Sequence, residues 1–196
     1  MNSKLKESRL VYKSAYLEVY EDLLKINSKQ EGKQDNNIHN DDNNLKIFQR
    51  IKTTHDNAAV IPILFDGSLL MVESYRYGVD KVLLEFPGGT IEENEEPIKT
   101  ARKELLQETG YQSKALEYKG WFYTWPAKMN QKIHLFLAKA LEKVSEQDLE
   151  ETESIKVKII PEEELIAKLK NHEIKSAIAI TALFYGYILD TRLNRQ

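Results

Sequence analysis

The stretch "GGTIEENEEPIKTARKELLQETGY", Gly88 to Tyr111, crowds glutamates between a Gly-Gly pair and Gly110 in a chain whose charges nearly balance. Its second part reads as a helix over Glu96 to Thr109. Asn94 suits the cap, Pro97 the first turn, and Gly110 the position just past the end. Residues three or four apart share a helical face, so Glu104 and Glu108 project together with Gln107 beside them. Two like charges about 5–6 Å apart repel unless a cation sits between them, and an all-oxygen ligand set suits Mg²⁺ or Mn²⁺ better than zinc or copper. A glutamate-rich helix is also what an ordinary solvated face looks like. The Pro-Gly-Gly turn at its head favours a site, because such a turn presents backbone groups to a phosphate or a metal.

Upstream, "VLLEFPGG" is a short strand ended by Pro87 and the two glycines. "AAVIPIL" and "SLLMVESYR", separated by Asp66-Gly67, predict an antiparallel hairpin. Leu10 to Ile26 alternates in a β-like way, with Tyr12, Tyr16, Leu17, Val19, Leu23 and Ile26 as strand positions. Asn27 to Asn44 is dominated by Asn, Asp, Gln and Lys, which predicts a mobile loop inserted between strands. Downstream, Leu116 to Tyr123, Lys132 to Ala140 and Ile155 to Ile160 read as strands, and Pro161 to Lys170 and Ser176 to Leu189 as helices. Strands grouped in runs with helices between the runs favour α+β over a doubly wound parallel sheet.

The 196 residues, 41% of them hydrophobic, suffice for one domain with a buried core. With 28 basic against 31 acidic residues the net charge is −3, and no basic block is present, which argues against nucleic acid as a partner. The lack of cysteine excludes disulfides and thiolate metal sites and fits a reducing cytoplasm. Met1 to Arg9 is polar throughout, so a secretory leader is not expected, and Ala177 to Leu189 is too short to span a bilayer. A membrane partner is therefore not expected either.

Gly89, Glu95, Lys103, Glu104, Leu105, Gln107, Glu108, Gly110 and Tyr111 resemble, at matching offsets, the Nudix signature G-x5-E-x7-R-E-U-x-E-E-x-G-U, where U is a bulky apolar residue. The resemblance implies a Nudix-type mixed β-sheet sandwiched between helices, with an N-terminal antiparallel β extension. It divides the chain into an extension over residues 1–52, carrying the loop 27–44, and a hydrolase domain over residues 53–196. Two positions depart from the signature. Lys103 replaces arginine and lacks its planar fork. Gln107 replaces the first of two adjacent glutamates, removing one negative charge.

"SYRYGVDKVLLEFPGGTIEENEE" and "FYTWPAKMNQKIHLFLAKAL" resemble the ADP-ribose and ADP-sugar pyrophosphatases, with Pro126 at the place of a family proline sixteen residues past Gly110. Ala127 stands where glycine is usual there, and Gln131 where an acid is common. The resemblance implies hydrolysis of a nucleotide substrate, ADP-ribose foremost, with Glu104, Glu108 and the Gly88 carbonyl on Mg²⁺ or Mn²⁺. It also implies substrate contacts from Arg76, Gly88 and Pro126, catalytic participation by Glu104, and a homodimer formed through the N-terminal strands. The acidic run "SEQDLEETESIKV" implies a loop glutamate acting as metal ligand or base, with Glu151 and Glu153 both aligned. Arg76 equally suits a surface ion pair, and Trp121, Tyr123 and Trp125 suit either ring stacking or packing. The four histidines show no ligand spacing. Two alternatives stay open: a nucleotide-binding sensor or scaffold that has lost hydrolysis, and a hydrolase of another nucleotide sugar or of a dinucleotide.

Overall fold

A computed structural model describes residues 2–27 and 44–193. The expected loop therefore falls almost entirely on 28–43, outside the described residues. The chain forms two compact units, Met1–Thr54 with Trp125–Gln131, and His55–Thr124 with Lys132–Gln196.

The first unit is an antiparallel sheet of β1 (Asn2–Lys13), β2 (Leu17–Asn27) and β3 (Leu45–Thr53), in that order. The β pattern expected over Leu10 to Ile26 is folded back on itself at Ser14–Tyr16, where Ser14 Oγ accepts the Tyr16 and Leu17 N–H groups at 3.2 Å each. Pairing also reaches back through the polar start of the chain to Asn2. Charges bind the sheet together: Arg50 Nε meets Asp22 Oδ2 at 2.5 Å, and Lys13 Nζ meets Glu18 Oε1 at 2.9 Å. The segment Trp125–Gln131 docks along β3, with Ile51 N–H donating to the Lys128 carbonyl and Thr53 N–H to Asn130 Oδ1, each at 2.8 Å.

In the second unit, β4 (Asn57–Pro62), β5 (Leu69–Arg76), β6 (Lys81–Glu85) and β7 (Gly88–Thr90) lead into α1 (Pro97–Thr109). Then come β8 (Tyr111–Tyr123), β9 (Lys132–Lys143), β10 (Ile155–Ile160), α2 (Glu162–Lys170) and α3 (Ala177–Ala182). A π-helix over Leu183–Leu193 continues α3, in place of the single ordinary helix expected over Ser176 to Leu189. One sheet has the order β7-β4-β9-β8 and is mixed, because β4 runs parallel to β9; the other has the order β10-β5-β6. No helix among the described residues is long and apolar enough to cross a membrane.

Successive side chains of a strand point to opposite faces, so a strand covered on both sides must be apolar throughout. β4 meets that condition. Ala58 and Val60 join Ala101, Leu105, Phe136 and Ala138 beneath α1, while Ala59 and Ile61 join Leu69, Met71, Leu135, Leu137, Leu165 and Leu183 on the opposite face.

The expected β4–β5 hairpin requires correction. The turn forms, with Leu64 N–H donating to the Ser68 carbonyl at 2.9 Å, and Ser68 N–H to Asp66 Oδ1 at 2.9 Å. Beyond the single bridge Ile63↔Leu69, however, the strands part into different sheets. Both edges of β4 are already taken, by β7 on one side and β9 on the other, so β5 has no edge to pair with beyond the single bridge.

Candidate active site

α1 begins at Pro97 with Glu96, in extended conformation, as its cap residue. Asn94 is not the cap: it adopts a left-handed conformation (φ 64°) within the preceding turn, a geometry that asparagine tolerates. Glu95 fastens that turn, its Oε2 accepting the Thr100 hydroxyl at 2.8 Å and the Glu92 N–H at 3.4 Å. At the far end Gly110 takes φ 73° and donates its N–H to the Leu106 carbonyl at 2.7 Å, the left-handed closure for which glycine is suited.

Ala101 and Leu105 anchor the helix on the sheet, and the adjacent stripe carries Glu104 and Glu108 toward β7. Gly88 N–H donates to Glu108 Oε2 at 2.9 Å. A Cβ on Gly89 would lie 2.6 Å from the Glu104 carboxyl carbon, so the absent side chain is what admits that carboxylate. The turn and the helix therefore enclose both glutamates; Glu108 is 4% exposed.

Burial pushes the Glu108 carboxyl up to about 8; the Gly88 N–H and the Arg76 charge pull it down, and Glu104 and Glu153 push it further up. Burial likewise raises Glu104, opposed by Lys103 and reinforced by Glu153, Glu150 and Glu95. Lys103 Nζ stands 3.9 Å from Glu104 Oε1, a long contact for the position at which the signature places arginine.

Glu153 belongs to this electrostatic cluster, and its carboxylate also accepts the Glu150 N–H at 3.0 Å. Glu151 is exposed, and its charge does not figure among the causes of either shift. Arg76 donates from Nε to Glu85 Oε2 at 2.7 Å, so the surface ion pair forms, while its charge also acts on Glu108. Pro126 lies in the segment docked on β3 and belongs to the first unit. His134 is held in a packed network, with Tyr118 Oη 3.1 Å from its Nδ1 and Asp56 Oδ2 3.7 Å from its Nε2.

Among the described residues, no group of three or more His, Asp or Glu side chains gathers as a self-sufficient metal cage. The buried Glu108, with the half-buried Glu104 beside it raising its proton affinity, nevertheless fits a hard divalent cation, which neutralises carboxylates and keeps further positions for water or phosphate oxygens. The sequence did not single out Gln147, whose side-chain amide donates to the Glu108 carbonyl at 2.6 Å. It sits inside an acidic run, and no spacing rule marks an amide there.

The mixed sheet, the helix over Ala58 and Val60, and the enclosed glutamate pair beside a Gly-Gly turn define an α+β hydrolase of Nudix type. The NUDIX domain family matches residues 53–182. An ADP-ribose pyrophosphatase of Bacillus subtilis (strain 168) is 33% identical over 144 residues, covering 72% of this chain and 78% of that protein. A GDP-mannose pyrophosphatase of Yersinia enterocolitica serotype O:8 / biotype 1B (strain NCTC 13174 / 8081) is 30% identical over 160 residues, covering 76% and 83%. The fold is shared with the crystal structure of an ADP compounds hydrolase, at TM-score 0.79 and 19% identity over 100% of this chain and 98% of that one. The chain belongs to the Nudix family and is a Nudix hydrolase.

Proposed function

We propose that the protein hydrolyses the diphosphate linkage of ADP-ribose, giving AMP and ribose 5-phosphate, with Mg²⁺ as the metal and Mn²⁺ as a substitute. The observation that carries this reading is the enclosure of Glu104 and Glu108 by the Gly88–Gly89 turn. The names borne by relatives at 33% and 30% identity support the substrate class, a nucleoside diphosphate bonded to a sugar.

Glu104 and Glu108 would hold the metal, with the Gly88 carbonyl as a further oxygen donor. A bound divalent cation neutralises phosphate oxygens, where charge must be stabilised during transfer. Glu153 orients the attacking water and takes its proton, and its place in the electrostatic cluster favours it over Glu151. Water's oxygen bonds to one phosphorus, the bridging P–O bond breaks, and the departing phosphate leaves with the bridging oxygen. Arg76, at the end of β5, steadies a phosphate oxygen by charge-assisted hydrogen bonds.

The reading extends to a homodimer built through β1–β3, whose exposed Leu5, Leu10, Val11, Tyr12 and Ile47 offer apolar surface. It places the enzyme in the cytoplasm, consistent with its cysteine-free composition.

A product screen over ADP-ribose, other ADP-sugars, GDP-mannose, NADH and diadenosine polyphosphates, with and without Mg²⁺, tests the reading. Metal-dependent release of AMP, fastest from ADP-ribose, is the expected result. Faster turnover of a different compound reassigns the substrate. ADP-ribose binding by calorimetry without AMP release makes the protein a sensor.

A further inference from the structure

The last turn of a helix leaves four carbonyls without an intrahelical donor, and in α1 that turn contains Glu108. Each of the four is satisfied. Gly110 N–H donates to the Leu106 carbonyl at 2.7 Å and Asp148 N–H to Gln107 at 2.9 Å. Gln147 Nε2 donates to the Glu108 carbonyl at 2.6 Å and Lys143 Nζ to Thr109 at 3.3 Å. Three of these donors come from residues 143–148, the segment by which β9 enters the acidic run.

Gln147 differs from the other donors because the same Nε2 also reaches the Ile155 carbonyl, at 3.4 Å. Ile155 is the first residue of β10. One amide thus ties the backbone of the metal-site helix to the far end of the loop that Gln147 itself opens. Between these fixed ends the loop is closed on itself: Glu150 N–H donates to Glu153 Oε2 at 3.0 Å, and Glu153 N–H donates back to the Glu150 carbonyl at 2.9 Å. Holding both ends of a self-bonded loop fixes where its carboxylates stand. Neither carbonyl that Gln147 joins belongs to a group that reacts.

We propose that Gln147 is a positioning residue for hydrolysis: its amide clamps the α1 C-terminus to the start of β10 and so sets the acidic loop, with Glu153, in register with Glu104 and Glu108. This rests on the proposed hydrolytic function. The clamp requires N–H donors on one nitrogen. Gln147→Met keeps the length and neutrality of the side chain but donates nothing. Gln147→Lys restores several N–H donors on a single nitrogen.

The test has two readouts. The first is amide hydrogen exchange on the metal-free protein. Gln147→Met speeds exchange across 148–154 and the last turn of α1, while Gln147→Lys stays near wild type. The second is steady-state kinetics with ADP-ribose. Gln147→Met lowers kcat about 10- to 100-fold, the range for partners that orient metal-site residues, with KM changed less than about twofold and with recovery in Gln147→Lys. Unchanged exchange in Gln147→Met, or a loss confined to KM, overturns the proposal. Should the wild type hydrolyse none of the nucleotides, the functional reading falls on its own, and the exchange comparison still decides whether the clamp exists.

Discussion

The backbone N–H of Gly88 donates to the Glu108 carboxylate at 2.9 Å, joining the turn that opens the signature to the last turn of its helix. Glu108→Gln keeps an acceptor oxygen for that N–H and nearly the same volume, so the fold should survive with little change in melting temperature. What it loses is the negative charge. Removing one preorganised stabiliser of this kind costs about 10²- to 10³-fold in rate. Hydrolysis of ADP-ribose should fall by that factor at saturating Mg²⁺, and a variant turning over at the wild-type rate would move the site elsewhere.

Gly89→Ala probes the same enclosure from the other side. The new Cβ would lie 2.6 Å from the Glu104 carboxyl, the flexible end of a side chain rather than a backbone atom. The carboxylate can swing away, so the cost falls on function more than on folding. The expected result is a Mg²⁺ activation midpoint raised about tenfold or more, with a melting temperature close to wild type. A large loss of thermal stability with unchanged metal demand contradicts this account.

The glutamate pair was legible because helical periodicity and glycine punctuation are local signals, and Glu104 and Glu108 need only the helix to bring them together. Elsewhere the outcome depends on contacts distant in sequence. β1 lacks a clean alternation because register shifts between Leu5 and Glu7, and between Leu10 and Tyr12, change which face successive residues present. Asp66-Gly67 forms the turn that the dipeptide signals. Whether its flanking strands stay together depends on β7 and β9, distant in sequence, which occupy both edges of β4. Gln147 left no trace at all, since a side-chain bond to a helix carbonyl 39 positions away obeys no periodicity.

Gln107→Glu restores the carboxylate that the signature carries at that position. Its backbone is already fixed, the carbonyl accepting the Asp148 N–H, and its side chain is half-buried next to Glu108. If metal loading limits turnover, the added charge lowers the Mg²⁺ concentration needed for half-maximal activity. That shift should be seen in a metal titration of the initial rate, with kcat at saturating Mg²⁺ little altered. An unmoved midpoint means that Glu104 and Glu108 suffice and that the position contributes no ligand.

Acid should weaken the N-terminal sheet through Glu18. Its carboxylate is held by Lys13 at 2.9 Å and Lys52 at 3.5 Å and accepts the Tyr20 hydroxyl at 2.8 Å, bonds that span β1, β2 and β3. The Lys13 bond, then the Tyr20 hydroxyl, lower its pKa from the ordinary 4.5 to about 2. A carboxylate with a folded pKa below its unfolded value stabilises fully above the unfolded value, and the contribution disappears as pH falls through the folded one. For Glu18 that window runs from about 4.5 down to about 2. The stability gap between wild type and Glu18→Gln, followed by thermal melting, should be constant from pH 7 to about 5 and close progressively below that. Raised salt should shrink it at every pH, because the partners are solvent-exposed and screened. A gap that widens on acidification would show that the two lysines do not hold the ionised form.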